Sequence, residues 1–251
     1  MSENTFKPGQ FDDAPPDISL ADNPVDAKDA ATMILVRNDG PTPRILMGQR
    51  ASGHTFMPDK YVFPGGRMDP TDLDITAIGD MNPTCRSLLQ IQSNTSPEGL
   101  VLSAIRETFE ETGLVIGKPV SEDIEITPNL DESWRTYLSF GVRPYLNNIQ
   151  FIGRAITPPY RPKRFDARFF LAKSEDVLAE LKRPVDSHEL LDLRWFTFEE
   201  IADLDLPGIT RFTISEAQKR IEEPDADHAP FMTYWKDNES FLERLTLDAF
   251  P

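Results

Sequence analysis

Residues 98–114 read EGLVLSAIRETFEETGL and carry the strongest structural signal in the chain. Glu107, Glu110 and Glu111 follow the i, i+3 and i+4 spacing, so a helix would place them on one face. Like charges at these spacings repel by about 0.2–0.5 kcal/mol per pair. A helix that keeps three such charges together is a candidate site for a hard divalent cation, Mg²⁺ or Mn²⁺, because such ions prefer oxygen ligands.

The helix has clear start and stop signals. Ser96 is a suitable N-cap and Pro97 suits the first helical position, where its missing N–H costs nothing. Gly113 stands where a left-handed residue ends a helix. The alternative interpretation is an ordinary amphipathic helix with a solvated acidic face, and spacing alone favours that alternative.

A longer pattern reverses this balance. Residues 106–114, with Glu98 upstream, resemble the Nudix box, G-x5-E-x7-R-E-U-x-E-E-x-G-U, in which U is apolar. Residues 63–66 (Phe-Pro-Gly-Gly) resemble the family's entry into the box. With Gly66 as the motif glycine and Glu98 as the motif glutamate, the box carries an insertion at about 67–95.

The resemblance implies a fold and a chemistry. The fold is an α/β (α+β) Nudix-type α/β/α sandwich, with a mixed β-sheet and a loop–helix–loop box. The chemistry is metal-dependent hydrolysis of a phosphoanhydride in a nucleoside diphosphate linked to another moiety. The implied ligands of Mg²⁺ or Mn²⁺ are Glu98, Glu107, Glu110 and Glu111.

The resemblance also implies residue roles. Glu107, Glu110 and Glu111 are catalytic, whereas Arg106, an i,i+4 partner of Glu110, and Gly113 are structural. The general base is either a box glutamate or a glutamate on a late loop, where this chain has Glu189. For Glu189, a catalytic role and a surface ion pair remain equal alternatives.

An acidic protein that binds an anionic substrate needs local positive charge. Residues 154–168 carry five basic residues, and Arg50 precedes the Pro-Gly-Gly loop. Glycines there would let the backbone approach phosphates. The predicted substrate-binding residues are Arg50, Gly65, Gly66, Arg164 and Arg168. In a strand, Arg164 and Arg168 would share one face, opposite Phe165.

The substrate is less determined than the chemistry. Residues 164–170 and 188–195 resemble an insertion-bearing branch related to mammalian peroxisomal coenzyme A diphosphatases. Arg50-Ala51 fits a coenzyme A signature of that branch, whereas Thr55 and Asp59 depart from it. Coenzyme A or acyl-CoA, ADP-ribose and other nucleotide derivatives remain alternatives. A non-catalytic nucleotide sensor is a further alternative, which the complete set of box glutamates disfavours.

Composition limits the class of protein. The chain has 251 residues, 39% of them hydrophobic, with a formal net charge of −16 and a pI near 4.6. Because nucleic acids and anionic membranes attract basic surfaces, neither is an expected partner. The single cysteine excludes an internal disulfide, and no apolar run approaches the roughly 20 residues of a membrane span. We expect a cytoplasmic enzyme with a small-molecule, nucleotide-derived substrate. A homodimer is compatible with the sequence, which does not determine the oligomeric state.

The domain prediction is a mobile acidic tail, residues 1–28, and a single domain, residues 29–251. Asp72, Asp74 and Asp80 of the insertion are expected in a solvated loop. The terminal segment has Trp235, Phe241 and Leu245 at an amphipathic spacing. We expect these residues to pack the segment against the domain. Strands are predicted over about 30–36, 44–50, 60–63, 149–156, 164–172 and 191–196, and helices over about 96–112, 130–139, 174–181, 199–203 and 213–222, with a helical turn at 87–91.

Overall fold

The structure, a computed structural model, describes residues 22–53, 57–237 and 239–248, and the backbone of residues 4–6. The strands are β1 Asn4–Phe6, β2 Lys28–Arg37, β3 Arg44–Arg50, β4 Tyr61–Val62, β5 Gly65–Arg67, β6 Gly117–Pro119, β7 Val142–Pro144, β8 Gln150–Ile156, β9 Phe165–Lys173, β10 Leu190–Thr197, β11 Phe231–Lys236 and β12 Glu239–Arg244. The helices are α1 Pro83–Gln90, α2 Pro97–Thr112, α3 Glu132–Leu138, α4 Ser174–Val177, α5 Phe198–Ala202 and α6 Gly208–Glu222, and a 3₁₀ helix spans Pro70–Asp74.

A mixed sheet forms the centre of the molecule. Its strand order is β1-β12-β11-β8-β9-β2-β3-β10, with β4 added to β3 and β5 added to β2. The pairs β2–β9 and β8–β11 are parallel, and the remaining pairs are antiparallel. A separate two-stranded sheet joins β6 and β7. This architecture confirms the predicted mixed α+β fold.

The sheet is buried on both faces. Along β2, Met33 and Leu35 enter one apolar cluster, whereas Ile34 and Val36 enter the other. This alternation follows from the two-residue period of a strand. The first cluster also contains residues of α1, α2 and α3, and the second contains residues of α5 and α6. The helices therefore form layers on both sides of the sheet.

Helix α2 begins and ends where the sequence predicts. The Ser96 hydroxyl accepts a hydrogen bond from the Gly99 N–H at 3.2 Å, and Pro97 is the first helical residue. Gly113 ends the helix in the left-handed region, with φ 69°, and its N–H donates to the Phe109 carbonyl. Ile105 is fully buried in the first cluster, so the opposite face is left for the glutamates.

The insertion is packed around Asp72, which corrects the expectation of a solvated position for that residue, whereas Asp74 and Asp80 are exposed as expected. Asp72 is fully buried, and α1 is longer than the predicted turn and buries Leu88 and Leu89. Two arginines of the sheet then hold the following loop: Arg154 Nη1 donates to the Ile91 carbonyl at 2.7 Å, and Arg168 Nη2 donates to Ser93 Oγ at 2.9 Å.

The C-terminal segment is also different from the expectation. Residues 231–244 do not dock as one amphipathic element but form the hairpin β11–β12, and β11 pairs in parallel with β8. The reason is burial on two faces: Phe231 enters the second cluster and its neighbour Met232 enters the first. The hairpin therefore extends the central sheet.

The predicted tail is described only in part. The backbone of residues 4–6 pairs antiparallel with β12, and residues 7–21 lie outside the described residues. The domain boundary at 28/29 stays a prediction. Within the described part of the chain, no helix combines the length and the apolar character needed to cross a membrane.

Candidate active site

A cleft of about 640 Å³ opens over the sheet face that carries α6. Its volume lies within the usual range for small-molecule sites. At one end it is lined by Gly65, Gly66 and three glutamates, Glu107, Glu110 and Glu189. Four cations also line it, namely Arg50, Arg67, Arg161 and Lys163. The cleft therefore brings residues of the box together with a glutamate and cations that are distant in sequence.

The two glycines let the glutamates of α2 approach the sheet edge. The Gly65 N–H donates to Glu111 Oε2 at 2.8 Å. A Cβ on Gly66 would overlap the carboxylate of Glu107. A side chain at position 66 would therefore displace the Glu107 carboxylate, and the predicted backbone approach occurs first of all to the carboxylates of Glu107 and Glu111.

Arg106 is the centre of a buried ion-pair network. Its Nη1 donates to Glu107 Oε1 at 2.8 Å and to Glu110 Oε1 at 3.0 Å, so the predicted i,i+4 contact is present. Its Nε and Nη2 donate to the two carboxylate oxygens of Asp72 at 2.8 and 3.2 Å. Trp134 Nε1 also donates to Asp72 Oδ1, at 2.8 Å. Arg106 therefore fixes two box glutamates against the insertion.

This network corrects the assignment of the box. Asp72 follows Gly66 with only residues 67–71 between them, which is the G-x5-E spacing with aspartate in place of glutamate. The insertion therefore falls between Asp72 and Arg106, and the spacing of Glu98 is a coincidence.

The structure places Glu98 away from the other three predicted metal ligands. It precedes Glu107 by nine residues of helix, which is about 14 Å along the axis. It forms an ion pair with Arg86 at 2.5 Å, in the first turn of α2. Sequence reasoning missed Asp72 because it stands in a polar segment. Residues 69–74 alone do not reveal that its side chain is buried.

Burial and mutual repulsion shift the titration of the glutamates. Burial, together with the charge of Glu110, raises the pKa of Glu107 to about 7, although Arg106 opposes the shift. Burial, followed by the charge of Glu107, raises the pKa of Glu111 well above its ordinary value, and the Gly65 N–H opposes this shift. A divalent cation would stabilise both ionised carboxylates, so the donors fit such an ion.

The carboxylates are not arranged as a closed ligand set. Within the described part of the chain, no three Asp, Glu, His or Cys side chains are grouped closely enough to hold a metal. Instead, Glu107 and Glu110 are oriented by Arg106, and Glu111 is oriented by the Gly65 N–H. Glu107, Glu110 and Glu111 are the residues that would hold a cation after rotation of their side chains.

Glu189 lies in the cleft, on the loop before β10. Burial is the main cause of the raised pKa of Glu107 and of Glu111, and the charge of Glu189 adds to both shifts. The backbone of Glu189 is fixed, because its carbonyl accepts from the Ala51 N–H at 3.0 Å and its N–H donates to Ser187 Oγ at 3.1 Å. Glu189 is exposed and also lines the cleft, so both of its predicted roles stay open.

Two predicted substrate-binding residues lie elsewhere. The side chain of Arg168 is 1% exposed, and its Nη1 donates to Asp29 Oδ1 at 2.6 Å. Arg164 Nη1 donates to the Val25 carbonyl at 2.7 Å. Strand alternation turns Ala167, rather than its arginine neighbour, toward the cleft. Both arginines are therefore structural, and Arg67, directly after the Gly-Gly pair, is the cation that the prediction missed.

This mixed sheet between helix layers, with the carboxylates of one helix packed against a Pro-Gly-Gly loop, is the arrangement that the resemblance to the Nudix box implied. A NUDIX hydrolase structure from Alicyclobacillus acidocaldarius aligns with a TM-score of 0.59 at 22% identity, over 82% of this chain and 99% of that one. This likeness shows that the chain has the Nudix fold. The NUDIX domain of Shewanella oneidensis NrtR, solved with ADP ribose, aligns more weakly, with a TM-score of 0.45 at 13% identity over 78% of this chain and 90% of that one.

The sequence comparisons agree with the fold. No protein-family model matches the chain. A curated relative, the putative nudix hydrolase 7 of Caenorhabditis elegans, is 27% identical over 185 residues, covering 70% of this chain and 53% of the relative. The chain thus spans about half the length of that relative. Fold, box residues and relative together support membership of the Nudix hydrolase superfamily, and they do not single out the coenzyme A diphosphatase branch.

Proposed function

We propose that the protein hydrolyses a phosphoanhydride bond in a nucleoside diphosphate linked to another moiety, with Mg²⁺ or Mn²⁺ as cofactor. The observation that carries the proposal is the joint placement of Glu107, Glu110 and Glu189 in one cleft with cations, among them Arg50 and Arg67. Carboxylates can hold a cation and accept a proton, whereas arginines can bind phosphate oxygens. The cleft holds both kinds of group.

The bond itself explains why these groups are needed. Phosphate oxygens are negative and repel a nucleophile, so catalysis depends on positioning and on neutralising charge. A bound divalent cation supplies part of that neutralisation. Arg50 and Arg67 supply a further part and orient the diphosphate, because guanidinium groups pair with phosphate oxygens in a fixed geometry.

The attacking water needs a proton acceptor. Glu189 fits this role, because it lines the cleft on a loop whose backbone is anchored by hydrogen bonds to Ala51 and Ser187. Glu107, which accepts a hydrogen bond from Arg106 at its Oε1, is the alternative. We assign Glu189 as general base, with Glu107, Glu110 and Glu111 as the cation-holding group and Arg106 and Asp72 as the residues that position them.

The identity of the substrate is a more specific proposal than the type of reaction. Arg50-Ala51 and residues 63–66 favour coenzyme A or an acyl-CoA, on the partial signature described above. ADP-ribose or another nucleotide derivative would satisfy the same cleft. The sensor alternative is disfavoured, because a binding module has no need of a buried network that orients two carboxylates.

A turnover panel tests the proposal. The purified chain is incubated with Mg²⁺ or Mn²⁺ and coenzyme A, acetyl-CoA, ADP-ribose, NADH, a diadenosine polyphosphate and an oxidised dNTP, and products are measured by mass spectrometry. Selective conversion of coenzyme A to 3′,5′-ADP and phosphopantetheine is the expected result. Cleavage of a different compound of the panel would agree with the proposed reaction and contradict the proposed substrate. Binding without any turnover would overturn the enzymatic proposal.

A further inference from the structure

The floor of the cleft is one row of register partners across five strands. Arg67 of β5 pairs with Ala30 of β2, Ala30 with Ala167 of β9, Ala167 with Ala155 of β8, and Ala155 with Thr233 of β11. All five residues line the cleft. Four inter-strand steps of about 4.8 Å separate Arg67 from Thr233 by about 19 Å. The cleft therefore extends far beyond the carboxylates.

Aromatic side chains form the walls at the far end. Trp235, Phe165 and Tyr160 line the cleft there, and the Tyr160 and Trp235 rings meet edge to face with centroids 5.1 Å apart. Trp235 and Phe165 are half-buried, whereas Tyr160 is 3% exposed and holds Trp235 through the ring contact. Aromatic rings that line a cleft are suited to stacking on a flat ligand ring.

Positive charge accompanies these rings. Arg161 and Lys163 line the same part of the cleft, and Lys163 Nζ lies 5.6 Å from the centroid of the Phe165 ring. The acidic residues of the lining, Glu107, Glu110 and Glu189, belong to the other end. The far end therefore offers flat apolar surface beside cations, which suits a planar ring attached to an anionic group.

We propose that Trp235 and Phe165 form a subsite for the nucleobase of the substrate, with Arg161 and Lys163 beside the sugar and any phosphate on it. Trp235, supplied by the C-terminal hairpin, is then the specificity-determining residue. This inference rests on the proposed function, since it places the diphosphate at the carboxylate end. A linear apolar chain would gain little from ring faces flanked by cations, so the planar ring is the better occupant.

Equilibrium binding tests the subsite without any turnover. The probe is the non-hydrolysable α,β-methylene analogue of ADP with Mg²⁺, compared with methylenediphosphonate, which lacks the nucleoside. Isothermal titration calorimetry gives both dissociation constants. The constant for methylenediphosphonate divided by the constant for the analogue measures the contribution of the nucleoside. Trp235→Ala is expected to lower this ratio roughly 10-fold, as for the loss of one base–aromatic stack. Trp195→Phe, which changes a tryptophan outside the cleft lining, is the control and leaves the ratio unchanged.

Intrinsic fluorescence provides a second readout that does not require Trp235→Ala to fold. The analogue is expected to quench wild-type emission, and Trp235→Phe is expected to abolish that quenching while retaining binding. An unchanged ratio in folded Trp235→Ala, or quenching that persists in Trp235→Phe, would overturn the subsite. If a short alkyl diphosphate binds more tightly than the analogue, the occupant of the subsite is an apolar chain and not a nucleobase. Because no hydrolysis is measured, failure of the proposed reaction is seen separately, in the turnover panel.

Discussion

The two ends of the cleft are built in different ways. The carboxylate end comes from β5, the 3₁₀ helix and α2, and one arginine, Arg106, orders it. The aromatic end comes from β8, β9, the loop after β8 and the C-terminal hairpin, which meet only because their strands pair in register. In the proposed function, chemistry would depend mainly on one helix and its buried ion pair, with Glu189 added from the loop before β10 and Arg50 from β3, whereas recognition would depend on long-range sheet assembly. Substitutions at the two ends should have different signatures.

The largest expected effect is on catalysis at the carboxylate end. Glu111→Gln is expected to lower kcat more than about 100-fold, the scale for removing a group that stabilises charge in the transition state. Stability should not fall, because burial and Glu107 already oppose the ionised form of Glu111. Turnover and thermal unfolding measure the two effects.

Glu98→Gln is the matched control on the same helix. It is expected to keep wild-type turnover, since Glu98 pairs with Arg86 outside the cleft. A large loss of turnover in Glu98→Gln, comparable to that of Glu111→Gln, would restore the original assignment of the box.

The next effect concerns Asp72, which links the insertion to Arg106. Asp72→Ala is expected to destabilise the fold by about 3–5 kcal/mol, because it leaves a buried guanidinium without its bidentate partner. Asp72→Asn retains an acceptor for Trp134 and is expected to lower kcat about 10–100-fold, the usual scale for a residue that orients metal ligands. Urea unfolding and the apparent Mg²⁺ affinity provide the measurements. Wild-type Mg²⁺ affinity and kcat in Asp72→Asn would show that the network has no positioning role.

A smaller effect is expected at the glycine pair. Gly66→Ala places a Cβ against the Glu107 carboxylate and should cost about 1–3 kcal/mol of stability, as overpacking does. The displaced carboxylate should also slow turnover. Gly53→Ala is the control, because a Cβ there meets nothing within 4 Å. Equal unfolding free energies for the two variants would contradict the steric requirement at position 66.

The last effect, which appears only at acidic pH, concerns the attachment of the hairpin that carries the aromatic end. Arg244 of β12 donates from Nη2 to Glu216 Oε1 of α6 at 2.9 Å. Burial opposes ionisation of Glu216, but hydrogen bonds from Arg244 and Lys219 outweigh it and lower its pKa to about 2.

Because the folded-state pKa is depressed, this stabilisation is complete above about pH 4.5 and is lost as the pH falls toward 2. Urea unfolding of wild type and Glu216→Gln measures it. The difference between their unfolding free energies should shrink over that range, and a constant difference would contradict the ion-pair assignment.

Sequence reasoning succeeded where the signal is local. Ser96, Pro97 and Gly113 define α2 by the hydrogen bonds of helix ends, and the glutamate spacing gives the shared face. Glu189 was found through resemblance, and the structure brings it to the same cleft. The wrong predictions concern which polar side chains are buried and which face of the sheet a side chain lies on. Asp72 is polar yet fully buried, and Arg168 pairs beneath the sheet although its charge suggested a phosphate contact.

The sequence by itself determined the box helix and its carboxylate face, because helix periodicity and capping act over a few residues. The mixed α+β class and the proposed chemistry followed from the resemblance of the box to a known family. Only the tertiary structure decided that Asp72 rather than Glu98 joins Arg106, and that Trp235 and Phe165 share a cleft. Those contacts depend on strand register and on which polar groups find a buried partner. Both are settled by the packing of segments far apart in the chain.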